Sequence, residues 1–242
     1  MNILESTERK TKVSNYILKN MFANYTEIQI KFFMMVINKA VSAHYAKTTE
    51  ENRDDIYNYA SQEITMSLDF IKKYKGKKHM TKIEIMDTME SLHIVLRLIN
   101  ADGYLETLSA IEKITYEHDK EQFRIILTDE AMEYLILVSE NYSCLDLEFL
   151  KDLRGKYEMG LYMIHCMYNE LKQKSKYYTI EELQDFLNIT SGGQTRDTLR
   201  YIDSAKEKLK DRGLKLDYEI SKRGKKITDI VFRFRQKNHG NI

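Results

Sequence analysis

Four cations, Lys222, Arg223, Lys225 and Lys226, surround Gly224 with no acid between them. Like charges crowded into so short a stretch repel one another, and a phosphate backbone relieves that repulsion. The same run also suits a solvated turn that discourages edge-to-edge aggregation. Upstream, Arg196, Arg200 and Ser204 recur every fourth residue, behind Gln194 and Thr195. That spacing sets them on one face of a helix. Their chemistry is hydrogen bonding, not bond making: arginine can donate two bonds to guanine O6 and N7, and glutamine can read adenine similarly. Gly192 and Gly193 just before them let a backbone approach a phosphate and leave helix N–H groups aimed at it. Asp197 shares the face, where it either accepts from a cytosine amino group or orients an arginine. Glu207 and Asp211 are expected beyond the groove, which limits base reading to the first two or three turns or about that. A second cationic run, Lys72, Lys73, Lys75, Lys77 and Lys78 around Gly76, lies between two expected helices. It either grips DNA backbone without reading sequence or is a solvated lysine loop.

These residues need elements to present them. Thr26-Glu27-Ile28-Gln29, Thr81-Lys82-Ile83-Glu84 and Thr179-Ile180-Glu181-Glu182 are capping boxes, each marking a helix start. The first helix is expected to run to about residue 46, and Ile64, Met66 and Leu68 alternate as a short strand. A short helix follows at about 69–74. After the second box, Ile85, Met89, Leu92, Leu96 and Ile99 form one stripe of a long helix closed by Asp102-Gly103. Strands are expected at 104–116 and 122–127 around the turn 118–121, then a helix at 129–140. The second half repeats the plan: a helix at 156–174, a strand at 177–179, a helix ending near Leu187, and a turn at 188–193. A long helix at 194–212 then buries Leu199, Ile202, Ala205 and Leu209. Gly213 caps it, and strands at 214–220 and 226–234 enclose the basic turn. Helix, strand, helix, helix, strand, strand, given twice, is the winged-helix plan: a helix-turn-helix followed by a β-hairpin wing. The fold class is therefore α+β, mainly helical, with two tandem winged-helix domains, at 12–140 and 141–237.

The net charge of +1 hides an asymmetry. Residues 1–150 hold 18 Lys+Arg against 24 Asp+Glu, a net of −6, whereas residues 151–242 hold 20 against 13, a net of +7. A basic second half suggests a polyanion partner for that half. In the first copy the corresponding helix exposes Glu84, Asp87, Glu90 and Ser91, and the hairpin tip at 118–121 is not basic. That domain suits protein contacts better, with the strand at 104–116 as a candidate dimer edge. Other chemistry lacks its residues. No GxxxxGK[ST] phosphate loop, GxSxG elbow or His-Glu-x-x-His occurs, so no enzyme activity is expected. The histidines at 44, 79, 93, 118, 165 and 239 are scattered, and Cys144 and Cys166 form no ligand pattern. Neither a metal nor a cofactor is expected. A covalent tyrosine nickase would also need paired histidines. No apolar run is long enough to span a membrane, and residues 1–13 lack a secretory pattern, so a cytoplasmic location is expected.

The segment LKDLRGKYEMGLYMIHCMYNELKQK, then TIEELQDFLNI, DSAKEKLKDRGLKLDYE and KRGKKITDIVFRF, resembles the second winged helix of theta-type plasmid replication initiators, the Rep proteins. VSNYILKN followed by TEIQIKFFMMVI resembles the opening of the first. The resemblance covers about 12–237 and includes the family's basic turn before an Ile-x-Phe-x-Phe strand, here Ile230 to Phe234. It implies a bacterial protein that binds repeated origin DNA (iterons), helps open the origin and recruits the host replication initiator and helicase. It also implies a monomer in equilibrium with a homodimer, the dimer repressing the protein's own promoter. Carried onto this chain, Arg196, Arg200 and the wing cations would read the repeat, beside Gln194, Thr195 and Ser204, which the helix face adds as DNA-binding candidates. The first domain would supply the dimer surface and some backbone contact. Alternatives from the residues alone are a winged-helix transcription regulator and a winged-helix scaffold that binds no DNA.

Overall fold

A helix that is apolar all round cannot rest on a surface and becomes the axis of a core. The segment Glu27–Lys47 is such a helix: Ile30, Phe32, Phe33, Met34, Val36 and Ile37 are all buried. In the computed structural model, which describes residues 10–20, 25–47, 63–76, 79–92, 95–99, 105–135, 142–169, 175–189, 194–224 and 226–234, the chain divides into two units. One contains the elements up to Leu153 and the other begins at Arg154.

The first unit opens with β1 (Lys10–Ser14) and α1 (Asn15–Asn20), followed by the axial helix, α2 (Glu27–Lys47). Then come β2 (Glu63–Ser67), α3 (Leu68–Tyr74), α4 (Lys82–Glu90), β3 (Val95–Ile99), β4 (Leu105–Ser109), β5 (Ile111–Glu117), β6 (Gln122–Leu127), α5 (Asp129–Leu135), β7 (Tyr142–Asp146) and α6 (Leu147–Asp152). Helix α2 packs on β1, β2 and α3 to α6. A three-stranded antiparallel sheet has the order β2-β6-β5, and β3-β4 and β1-β7 form separate two-stranded pairs.

The second unit comprises α7 (Lys156–Asn169), β8 (Ser175–Thr179), α8 (Ile180–Leu187), α9 (Thr195–Asp211), β9 (Asp217–Arg223) and β10 (Lys226–Arg233). Its sheet order is β8-β10-β9. In both units the last wing strand lies centrally, between the strand that precedes the helix-turn-helix and its own hairpin partner. The winged-helix plan is thus present twice. Each expected capping box closes reciprocally: Thr26 N–H donates to Gln29 at 3.0 Å, Thr81 N–H to Glu84 at 2.7 Å and Thr179 N–H to Glu182 at 2.9 Å.

The structure differs from the sequence reading in four places. Helix α4 stops at Glu90, and residues 95–99 form β3; Leu96 and Ile99, assigned to a helical stripe, belong to a strand. Asp102 and Gly103 lie outside the described residues. The strand expected at 104–116 breaks at Ala110 into β4 and β5, which belong to different sheets, so it offers no continuous dimer edge. The division of the chain falls at 153/154 and not at 140/141, because β7 pairs with β1 from Lys10↔Asp146 to Ser14↔Tyr142. Finally, Thr198 and not Leu199 enters the core from α9, where its hydroxyl accepts from Gln184 Nε2 at 2.8 Å. The ends of the helices expected at 129–140 and 156–174 lie outside the described residues.

Candidate nucleic-acid interface

Helix α9 buries Thr198, Ile202, Ala205 and Leu209 and packs on α7. The opposite face therefore points outward: Gln194, Arg196, Arg200 and Ser204 are exposed, and Thr195 is half-buried. Gln194 occupies the N-cap but makes no side-chain capping bond, unlike Ser67, Thr81 and Thr179 at the other three helices of the two helix-turn-helix units. The leading N–H groups of α9 thus have no side-chain acceptor from the cap, and the Gln194 amide stays available.

The cations of α9 fall into two sets. Toward the C-terminus they are committed. Lys208 Nζ sits 3.0 Å and Arg212 Nη1 3.5 Å from the Glu158 carboxylate of α7. Lys210 pairs with Glu207 at 3.2 Å, and Lys206 approaches Asp217 at 3.9 Å. Toward the N-terminus, Arg196 is exposed and no ion pair engages it among the described residues. Arg200 has a contact of 3.2 Å to Asp197, so of the two roles open to Asp197 the structure supports orienting an arginine. The Arg200 guanidinium also lies 5.3 Å from the Tyr201 ring, which stacks on Tyr157 at 4.8 Å and 17°.

The wing repeats this partition. At its base Arg233 makes two bonds of 2.6 Å to Glu219, and that bonding lowers the Glu219 pKa. At its tip Lys222, Arg223 and Lys226 are exposed, with no ion pair to any described residue. Arg223 pairs directly with Lys226 across the hairpin, and Gly224 takes the left-handed conformation, φ +64°, that so tight a turn requires. Lys225 lies outside the described residues, as do Gly192 and Gly193. A latch joins wing to helix: the Tyr218 hydroxyl on β9 donates to Asp203 on α9 at 2.7 Å. Burial, then this bond, raises the Tyr218 pKa. The latch was not read from the sequence, where Asp203 and Tyr218 are separated by a helix end and a turn.

The first unit presents different chemistry at the same places. Helix α4 exposes Glu84, Asp87, Glu90 and Ser91, and also Ile83, 70% exposed. Lys82 is tied to Glu121 at 3.1 Å. The lysine run begins in the last turn of α3: Lys72 is 3.7 Å from Asp69, Lys73 lies over the Tyr74 ring at 4.8 Å, and Lys75, the C-cap, is half-buried. Gly76, at φ +87°, rests against the Lys151 carbonyl. Lys77 and Lys78 lie outside the described residues. No group of three or more His, Cys, Asp and Glu among the described residues is placed to hold a metal, and no described helix is long and apolar enough to cross a membrane.

The family model described as "Initiator Replication protein, WH1" matches residues 10–166, and "Initiator Rep protein, WH2" matches residues 179–234. Among solved structures, the chain is similar to the Pi initiator protein in complex with iteron DNA. The TM-score is 0.65 at 15% identity, covering 96% of this chain and 99% of that one. A structure of domains 2 and 3 of RctB aligns at a TM-score of 0.43 and 11% identity, covering 81% of each chain. A second RctB structure gives 0.40 and 12%, covering 84% of this chain and 82% of that one. At these identities the likeness is one of fold. No curated protein sequence matches.

Proposed function

Because the chain belongs to the initiator replication protein family, we propose that it is a plasmid replication initiator that reads repeated origin DNA through α9 and the adjoining wing. The observation that carries this reading is the placement of its unspent charge. In the second unit most helix and wing-base cations are paired, whereas Arg196 and the wing tip are not. Unpaired cations at the leading end of an exposed helix and at a hairpin tip suit a groove and its flanking phosphates. The Pi initiator protein, similar in fold, was solved on iteron DNA, and this chain takes a comparable partner under the proposal.

In this reading Gln194, Thr195, Arg196, Arg200 and Ser204 meet base edges, and Lys222, Arg223, Lys225 and Lys226 meet phosphates. The first domain, with its acidic α4, serves dimerisation, and Lys72, Lys73, Lys75, Lys77 and Lys78 add contact to DNA backbone. The bound protein helps open the origin and recruits the host initiator and helicase in the bacterial cytoplasm. As a dimer in equilibrium with the monomer it represses its own promoter. It performs no bond chemistry of its own.

A mobility-shift assay with DNA flanking the gene tests the reading. Binding to direct repeats there, with loss of replication when the gene is deleted from its replicon, is the expected result. Replication that persists without the gene overturns the initiator role; promoter binding in that case leaves a transcription regulator.

A further inference from the structure

Glu158 is a charged side chain that is almost fully buried, at 2% exposure, in the first turn of α7. A carboxylate withdrawn from water is stable only if its charge is answered. The answers here come from one place. Lys208 at 3.0 Å stands in the last turn of α9 and Arg212 at 3.5 Å is its C-cap residue, and the Arg154 N–H adds a bond of 3.2 Å. Arg212 also donates to the Lys208 carbonyl at 2.8 Å, so it closes the end of α9 while reaching Glu158. The carboxylate therefore fastens the far end of the helix whose near end carries Arg196 and Arg200.

We propose that Glu158 is a positioning residue for sequence recognition: it pins the C-terminal end of α9 to α7 and so fixes the aim of Arg196 and Arg200. This rests on the reading of α9 as the base-contacting helix. If that end is released, α9 can tilt about its packed middle at Ile202; at a rise of ~1.5 Å per residue Arg196 stands roughly 9 Å from there, so a tilt of about 5° moves it by about 0.8 Å. Recognition geometry tolerates about 0.5 Å. Bidentate base contacts fail under such a displacement, whereas contacts to phosphate, which carry no base information, largely survive. A released α9 still binds DNA but discriminates less.

The test compares affinity for the repeat with affinity for random duplex of equal length, using the full chain. Glu158→Gln keeps an acceptor for the Arg154 N–H and removes the charge. Losing one bidentate contact corresponds to roughly a tenfold fall in the specific-to-random ratio. Because disrupting a buried pair also destabilises, Lys208→Gln is the second variant: Lys208 is 54% exposed and its replacement leaves Arg212 on Glu158. It should lower the ratio in the same direction, and Lys208→Arg should restore it. Lys210→Gln is the matched control, since among the described residues Lys210 pairs only along its own helix, with Glu207; its ratio should stay at the wild-type value. Arg196→Ala is the reference for base reading. If Arg196→Ala lowers the ratio while Glu158→Gln and Lys208→Gln behave like Lys210→Gln, positioning by Glu158 is overturned and base reading stands. If Arg196→Ala also leaves the ratio unchanged, base reading by α9 falls and the positioning role falls with it.

Discussion

Neutralising the wing tip should flatten the salt dependence of DNA binding by a calculable amount. Lys222, Arg223 and Lys226 are exposed, and no described residue forms an ion pair with them. Arg223 and Lys226 are direct cross-strand partners, so their side chains leave the same face of the hairpin. Lys222, one residue earlier on β9, leaves the other. A wing laid along a duplex thus brings two of the three to phosphate on one face, and the third as well if the tip enters a groove. Each neutralised phosphate contributes about 0.9 to the slope of log K against log salt, so Lys222→Gln, Arg223→Gln and Lys226→Gln together should reduce the slope by about 1.8 to 2.7. Between 50 and 200 mM salt, that amounts to roughly 12- to 40-fold less salt-induced weakening. Fluorescence-anisotropy titrations on repeat and random duplexes across that range measure it, and both DNAs should respond alike. Arg233→Gln is the contrast, because the Arg233 charge is already spent on Glu219 at 2.6 Å. An unchanged slope in the triple variant, a loss confined to repeat DNA, or equal flattening by Arg233→Gln would refute the reasoning.

Arg196→Ala and Arg200→Ala should each cost about 1–3 kcal/mol on repeat DNA and relax the choice of base at one position. The two losses should be comparable, since Asp197 holds Arg200 at 3.2 Å through one guanidinium nitrogen and leaves its other donors for a base; competition with singly substituted duplexes tests both, and equal losses on random DNA would sink the assignment. Gly76→Ala should destabilise the first unit by about 1–3 kcal/mol. The added Cβ meets the Lys151 carbonyl, and φ is +87°; an unchanged urea midpoint would show that the loop yields. Stability should also fall as pH drops below about 6.5 through His165. Burial lowers its pKa, and Nδ1 has no hydrogen-bond partner among the described residues, so in that window the unfolded state binds a proton that the folded state refuses. His165→Asn should remove that part of the pH dependence of the urea midpoint, and an unaltered profile would show that His165 does not titrate on unfolding.

The helix-turn-helix parts were readable because their signals are local. Thr179 and Glu182 announce a helix start within four residues, and the geometry follows at 2.9 and 3.1 Å. The exposed face of α9 followed from its period alone. What failed depended on partners distant in sequence. Leu96 and Ile99 continue a helical spacing that begins at Ile85, yet pairing with β4 claims them as a strand. Strand β7 is paired with β1, more than a hundred residues earlier, and nothing within 142–146 names that partner. Thr198 displaced Leu199 from the core because a hydrogen bond from Gln184 satisfies its hydroxyl there, and a hydrophobicity pattern gives no credit for such a bond. For the site, residue type and spacing exposed Arg196 and Arg200, but the role of Glu158 lies in a contact between helices that begins 50 positions away, at Lys208.

That distinction changes what charge means in this chain. The sequence offers a net of +7 beyond residue 150 and −6 before it, which points to the second half without choosing residues within it. The ion pairs make the choice. Lys208 and Arg212 are spent on Glu158, Lys210 on Glu207 and Arg233 on Glu219; a lysine whose charge is already answered has less to gain from a phosphate. Subtracting them leaves Arg196, with Arg200 held beside it by Asp197 at 3.2 Å, and the wing tip, two places held in relation by the Asp203–Tyr218 latch. From that latch, Arg223 lies about 17 Å out along β9, and Arg196 roughly 10 Å back along α9. Separate points of attachment on a braced frame can favour one orientation on a duplex, as a diffuse basic surface cannot. Under the proposed function the paired cations matter to recognition as well: with their charge already answered, they leave the attraction for DNA to the places where the helix and wing can use it.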